Sequence, residues 1–325
     1  MPEPLLLDGL PFTVELAATH GISERALRTL VDRGQVRRLL RGVYADAHAS
    51  DTLQLRAQAL ILVSPPGRVV CRGTAAWLFG VPPVEPNRHV GVPALELMSE
   101  SGQNGTRRRG CLGSSGPLAP DDVIEVRGVV ATSGRRTCLD LARDRERPDA
   151  LAYVDALVRA GAATRAELLD ALPTIAGLPW AEQGREIVEL CDPGAESPGE
   201  SWLRLRHLDA GFPWPRTQLW VSDDAGVPVV RLDLGLADRM FAEEYDGEAH
   251  HGAAQQPRDL ARKEWLERRG WVHRAFGKAE VLGRGYVFER VVGEALGIEP
   301  RCLPWEARRR TYARRRRTPS PPDLQ

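Results

Sequence analysis

Apolar residues recur at helical spacing over Phe12–Ala18 and again over SERALRTLVDRG, Ser23–Gly34. In the second stretch Ala26, Leu27, Leu30 and Val31 predict one buried stripe, which leaves Arg25, Arg28 and Arg33 facing outward. Ser23 suits the N-cap, Glu24 the first turn, and Gly34 ends the helix. The period then shortens: VRRLLRGVYAD reads as a short β segment, with Arg37, Arg38 and Arg41 at its polar positions and Gly42 at its turn. The middle of the chain predicts helices at Leu53–Val63, Gly73–Pro82, Thr132–Asp144, Pro148–Ala160 and Thr164–Leu172. Strands are expected at Arg68–Cys71, Arg88–Val92 and Val123–Val130, with a polar loop at Ser99–Gly110 whose Arg107–Arg109 run reads as a solvated turn. Asp140 and Asp155, inside helical patterns, read as helix-surface or capping acids.

A Pro/Gly-rich break at Cys191–Gly199 separates the last third. There the pattern predicts a helix at Glu200–Ala210, strands at Thr217–Ser222, Val229–Leu236 and Met240–Tyr245, and a helix at Arg258–Arg269 burying Leu260, Trp265 and Leu266. A strand at Trp271–Phe276 and a helix at Val287–Leu296 complete the order αβββαβα. Alternation places Asp233 opposite the Val230, Leu232 and Leu234 face, and places Glu244 and Asp246 together. A turn at Ala237–Arg239 joins the two strands, and neighbouring strands lie about 5 Å apart, so Asp233 and Glu244 can converge. Converging carboxylates repel unless a hard cation such as Mg²⁺ lies between them. An acidic hairpin end that is simply solvated has the same spacing.

Composition bounds these readings. At 325 residues the chain has length for two or three domains. Basic and acidic residues both number 44, but Arg308–Arg317 carries seven arginines and no acid. Such a run reads as a disordered tail that grips phosphates, or as a solvated one. Lys263 and Lys278 are the two lysines, which singles out Lys263 beside the acidic hairpin. Five scattered cysteines show neither zinc spacing nor a disulfide framework, and fit a reduced cytoplasmic setting. No signal sequence or membrane span is expected.

Helix, turn, helix and β-hairpin describe a winged helix-turn-helix, with the second helix for a major groove and the arginines of the wing for phosphates. A small helical cap making protein contacts is the alternative. The stretch TVELAATHGISERALRTLVDRGQVRRLLRGVY resembles the N-terminal domain of AbiEi-type antitoxins of abortive-infection toxin–antitoxin systems. That resemblance implies promoter binding, and the segment after it is similar to the corresponding part of AbiEi-like actinobacterial proteins. A toxin partner cannot be inferred from one chain.

In the last third, AESPGES, RLDL, EYDGEAHH, DLARKEWLERRGW and VHRAF together resemble the PD-(D/E)XK nuclease core, above all domains related to the very-short-patch repair (Vsr) endonuclease. The resemblance implies a Mg²⁺- or Mn²⁺-dependent DNA endonuclease. Asp233 and Glu244 match the motif acids, Glu200 the helical acid that completes the metal shell, and His250 a histidine for acid/base work or phosphate contact. Asp246 stands where E-x-K has lysine, so Lys263 or Arg262 would have to supply the positive group. His251 reads as structural.

The expected fold class is therefore α/β (α+β) multidomain. It has a winged helix-turn-helix at 1–50, a mixed α/β connector at 51–192, a Vsr-like PD-(D/E)XK αβββαβ domain at 193–300 and an Arg-rich tail at 301–325. The expected partner is DNA, without a membrane, and a homodimer is compatible. The leading functional expectation is a DNA-binding, metal-dependent endonuclease. The alternative is a non-catalytic antitoxin-like regulator with an inactive nuclease fold.

Overall fold

Thr13 opens the first helix, its hydroxyl accepting from the Leu16 N–H, and Ser23 does the same for the second by accepting from the Ala26 N–H. These caps start α1 (Val14–Thr19) and α2 (Glu24–Asp32), which pack on β1 (Phe12–Thr13), β2 (Val36–Leu40) and β3 (Val43–Asp46). The three strands form an antiparallel sheet in the order β1-β3-β2. The computed structural model describes residues 9–84, 95–100, 111–247 and 256–304. The expected strand at Arg88–Val92, the run Arg107–Arg109, His250, His251 and the arginine-rich Arg308–Arg317 lie outside the described residues.

The chain divides into two compact units, Met1–Leu141 with Ala160–Leu168, and Ala142–Arg159 with Leu169–Gln325. In the first unit the small helices close over Phe12, Ala17, Ile22, Leu27 and Val36, with Leu30 and Val31 partly buried against them. Ala26 is exposed, not part of the stripe, because the helix rests on Leu27. The chain continues through α3 (Leu53–Ile61), β4 (Val69–Val70), α4 (Arg72–Leu78), β5 (Leu95–Glu100), β6 (Cys111–Gly116), β7 (Val123–Val126), β8 (Val129–Thr132) and α5 (Gly134–Asp144). Its sheet has the mixed order β6-β5-β4-β8-β7. The single strand expected at Val123–Val130 is instead a hairpin. Arg127 (φ 51°) and Gly128 (φ 81°) take the consecutive left-handed conformations a tight two-residue turn demands. A larger core gathers Leu55, Leu60, Trp77, Leu97 and Ala131, and it also takes in Leu39, Leu40 and Val43 from the β2–β3 hairpin. That hairpin therefore packs on both sets of elements at once.

The second unit draws on α6 (Arg147–Arg159), part of α7 (Arg165–Asp170), α8 (Ala181–Leu190) and α9 (Pro198–Asp209). After them come β9 (Arg216–Ser222), β10 (Pro228–Leu236), β11 (Phe241–Asp246), α10 (Gln256–Arg268), β12 (Val272–Gly277), α11 (Lys278–Leu282) and α12 (Val287–Leu296). Strands β9, β10 and β11 are antiparallel neighbours, and β12 joins β11 in parallel, giving the order β12-β11-β10-β9. Leu219, Val221, Val230, Leu232, Ala242 and Leu266 form a core beneath α10. Leu260, expected inward on that helix, is 59% exposed. Its place is one helical face away from Leu266, whose side chain is buried.

Asp140 and Asp155 are not surface or capping acids. Asp140, in the first unit, is 1% exposed and accepts from Arg136 Nε at 2.9 Å. Asp155, in the second, is fully buried and accepts from Arg204, Ser201 Oγ and the Asp192 N–H. Burial demands such partners, because an uncompensated buried charge is far costlier than a solvated one.

Candidate functional site

The second unit gathers its acids where α9 begins. Ser197 caps the helix by accepting from the Glu200 N–H, and Pro198 occupies the first turn, where its missing N–H costs nothing. Gly199 follows because a Cβ there would lie 2.1 Å from the ring of Tyr245 on β11, closer than any side chain tolerates. This contact presses the start of α9 against the sheet. Glu200, 8% exposed, accepts at one oxygen from the Glu196 N–H (2.9 Å) and Gln218 Nε2 (2.8 Å). Gln218 sits at φ 50°, a left-handed conformation that costs a non-glycine residue about 1–3 kcal/mol and that surrounding structure must enforce.

The other two acids come from the β10–β11 ladder. Leu234 pairs with Glu243, so the next step sets Asp233 opposite Glu244. A 3₁₀ turn at Ala237–Arg239 and left-handed Met240 close this hairpin, as the expected three-residue turn requires. Asp233 Oδ2 accepts from the Tyr245 N–H at 3.1 Å. Glu244 is gripped by Arg262 of α10, whose guanidinium reaches both carboxylate oxygens, and His273 Nε2 of β12 lies 2.9 Å away. Burial raises the Asp233 carboxyl to about 7, reinforced by the negative charges of Glu200 and Glu244 and only partly opposed by the Tyr245 N–H and Arg262.

Asp233 thus feels the charges of both Glu200 and Glu244. Of the two cations considered for the missing lysine, Arg262 reaches Glu244. Lys263, 53% exposed, turns to Glu267 at 3.9 Å. Asp246 lies exposed at the end of β11, opposite Gly277 in the ladder. Gln218 and His273 were not singled out from sequence. The alternation of β12 could have flagged His273, but nothing local announces a left-handed glutamine.

As ligands, three carboxylates match the oxygen preference of Mg²⁺ or Mn²⁺. Their present arrangement is not a ready cage: among the described residues no group of three or more His, Cys, Asp and Glu is placed to hold a metal ion. Arg262 already supplies positive charge to Glu244.

In the first unit the outward arginines are arranged differently. Arg25, Arg28 and Arg33 are exposed along α2 and its C-cap, and Arg28 lies 3.9 Å from Glu24. Arg38 and Arg41 are exposed on the hairpin, whereas Arg37 is half-buried and donates to the Ala49 carbonyl at 2.7 Å. No helix among the described residues is long and apolar enough to cross a membrane.

Comparison with known proteins covers most of the first unit and the opening helices of the second. Residues 8–45 match the family described as "Transcriptional regulator, AbiEi antitoxin", and residues 68–190 match "AbiEi antitoxin C-terminal domain". Neither match extends to Glu200, Asp233 or Glu244. The chain is also 31% identical over 252 residues to "Uncharacterized protein Rv2248" of Mycobacterium tuberculosis (strain ATCC 25618 / H37Rv), covering 77% of this chain and 88% of that protein. "Uncharacterized protein MT2308" of Mycobacterium tuberculosis (strain CDC 1551 / Oshkosh) matches over the same shares at the same identity. The chain belongs to the family of these mycobacterial proteins and carries both AbiEi antitoxin domains.

Proposed function

We propose that the protein is an AbiEi-type DNA-binding transcriptional regulator. Its N-terminal elements are a winged helix-turn-helix, with α2 entering the major groove. The carrying observation is the exposed row Arg25, Arg28 and Arg33 on a helix capped by Ser23, in the segment that matches the AbiEi regulator family. Cationic side chains on a major-groove helix supply phosphate contacts and base-edge donors. Arg38 and Arg41 add phosphate contacts from the hairpin, and the antitoxin family names imply a toxin as a second partner. Fluorescence anisotropy on DNA from upstream of the chain's own gene tests the reading. Wild type binds with marked salt dependence, and the Arg25→Ala/Arg28→Ala/Arg33→Ala variant loses affinity and flattens that dependence. Equal binding by both proteins would overturn it.

A second reading is favoured by Asp233, whose proton affinity marks a site where three carboxylates compete. In this reading the second unit is a Vsr-like PD-(D/E)XK endonuclease domain. Glu200, Asp233 and Glu244 would hold Mg²⁺ or Mn²⁺, which supplies a Lewis acid for phosphodiester hydrolysis. Arg262 stands in for the absent lysine beside Glu244, and Asp246, His250 and Lys263 remain its other catalytic candidates. Manganese calorimetry, combined with cleavage of plasmid and single-stranded DNA, decides the matter. Binding and cleavage that both vanish in Asp233→Ala and Glu244→Ala support the nuclease. Absence of both in the wild type leaves the second unit a non-catalytic part of the regulator.

A further inference from the structure

Directly behind the acid cluster, in the same unit, lies a pair of buried ionisable groups that neither reading uses. His207, on the last turn of α9, and Glu243, on β11 beside Glu244, are each 1% exposed. The imidazole Nδ1 is 2.9 Å from Glu243 Oε1, and Nε2 is 2.7 Å from the Pro213 carbonyl. A carbonyl oxygen cannot donate, so Nε2 must carry a hydrogen. If Glu243 is ionised, its oxygen also only accepts, and Nδ1 must carry one too. The second oxygen of Glu243 is buried without a hydrogen-bond partner among the described residues, which leaves His207 as the group that compensates this carboxylate.

We infer that His207 is a buried imidazolium that latches α9 to β11, and that the latch weakens when this proton is lost. The remaining charges on α9 point elsewhere: Glu200 to the Glu196 N–H and Gln218, Arg204 to Asp155, Arg206 to Glu289 and to carbonyls of α11 and the turn after it, and Asp209 to Arg147. From β11 the facing charge is Glu243, and from the segment after α9 the ring meets the Pro213 carbonyl and the Phe212 ring, 5.2 Å between centroids. Losing the proton leaves one ring nitrogen as a bare lone pair, so the ring keeps a hydrogen for either Glu243 or the Pro213 carbonyl but not for both. In either tautomer the Glu243 carboxylate loses the positive charge that faces it across the α9–β11 contact. Burial alone would lower the proton affinity of His207, yet the charge of Glu243, its hydrogen bond and the Pro213 carbonyl outweigh burial and raise it. The sign follows. Stability from the latch is complete below about pH 6.5, where the unfolded imidazole is also protonated, and is lost as pH rises through the higher folded value.

Nitrogen-15 NMR of the histidine rings in the full chain, with hydrogen exchange of the β11 amides across alkaline pH, tests the latch without DNA or metal. At neutral pH both His207 nitrogens should carry hydrogens. After correction for intrinsic exchange, β11 should lose protection as the ring titrates. Glu243→Gln keeps an oxygen acceptor but removes the charge that opposes burial, so His207 should then titrate at lower pH than in the wild type, with the loss of protection moving down alongside it. A neutral His207 ring at pH 7, or β11 protection that ignores its titration, would overturn the inference.

Discussion

The exposed arginines of the first unit and the buried acids of the second use charge in opposite ways. Arg25, Arg28 and Arg33 face solvent, where water screens them. Glu200, Asp233 and Glu244 face one another at a half-buried seam, where each depends on a named donor: Gln218, Tyr245 N–H or Arg262. The first arrangement has charge available for a partner and little stake in stability. The second holds unfavourable charge together by packing, so changes there must alter stability and proton binding together.

Asp233→Asn should break this contrast most sharply. One unit of proton affinity is about 1.4 kcal/mol, so displacement from 3.8 to about 7 sets an upper limit of about 4 kcal/mol. Because the folded carboxyl binds its proton more tightly than the unfolded one, wild-type stability falls as pH rises from about 4 to 7 on this account. The asparagine variant should match wild type near pH 4 and exceed it at pH 8, as denaturant titrations at the two pH values would reveal. Next in size, Gly199→Ala drives a Cβ into the Tyr245 ring and should cost about 2–3 kcal/mol, read as a lowered thermal midpoint. Arg262→Ala removes the cation that opposes the rise at Asp233. The Asp233 carboxyl should then titrate above about 7, measured by carbon-13 NMR. Smallest of all, the triple Arg25/Arg28/Arg33→Ala change should alter stability by less than about 0.5 kcal/mol per site while DNA affinity collapses. A large stability loss there would erase the distinction between the two regions.

What could be read from the sequence follows the same division. Local signals were sufficient where one residue decides one event. Ser23 caps a helix, three residues turn the β10–β11 hairpin, and period-two alternation sets Asp233 against Glu244. Contacts between distant segments were not readable. Nothing near Asp155 announces Arg204, 49 positions away, and nothing near Glu243 announces His207, 36 positions away. Leu260 faces solvent because its position on α10 sets it about 120° around the helix from buried Leu266. The hairpin at Val123–Val130 was missed because Arg127 occupies a conformation usually left to Gly or Asn.

The double engagement of the β2–β3 hairpin bears on how DNA recognition should be dissected. Leu39, Leu40 and Val43 lie in the same core as Leu55, Trp77 and Leu97, so a fragment cut near residue 50 would bare a greasy strip and invite clumping. Footprints collected on such a fragment would report sticky protein rather than sequence preference. A cut after Leu141 that omits Ala160–Leu168 would also unseat α5, because the Gly134 Cα closely approaches the Ala162 backbone.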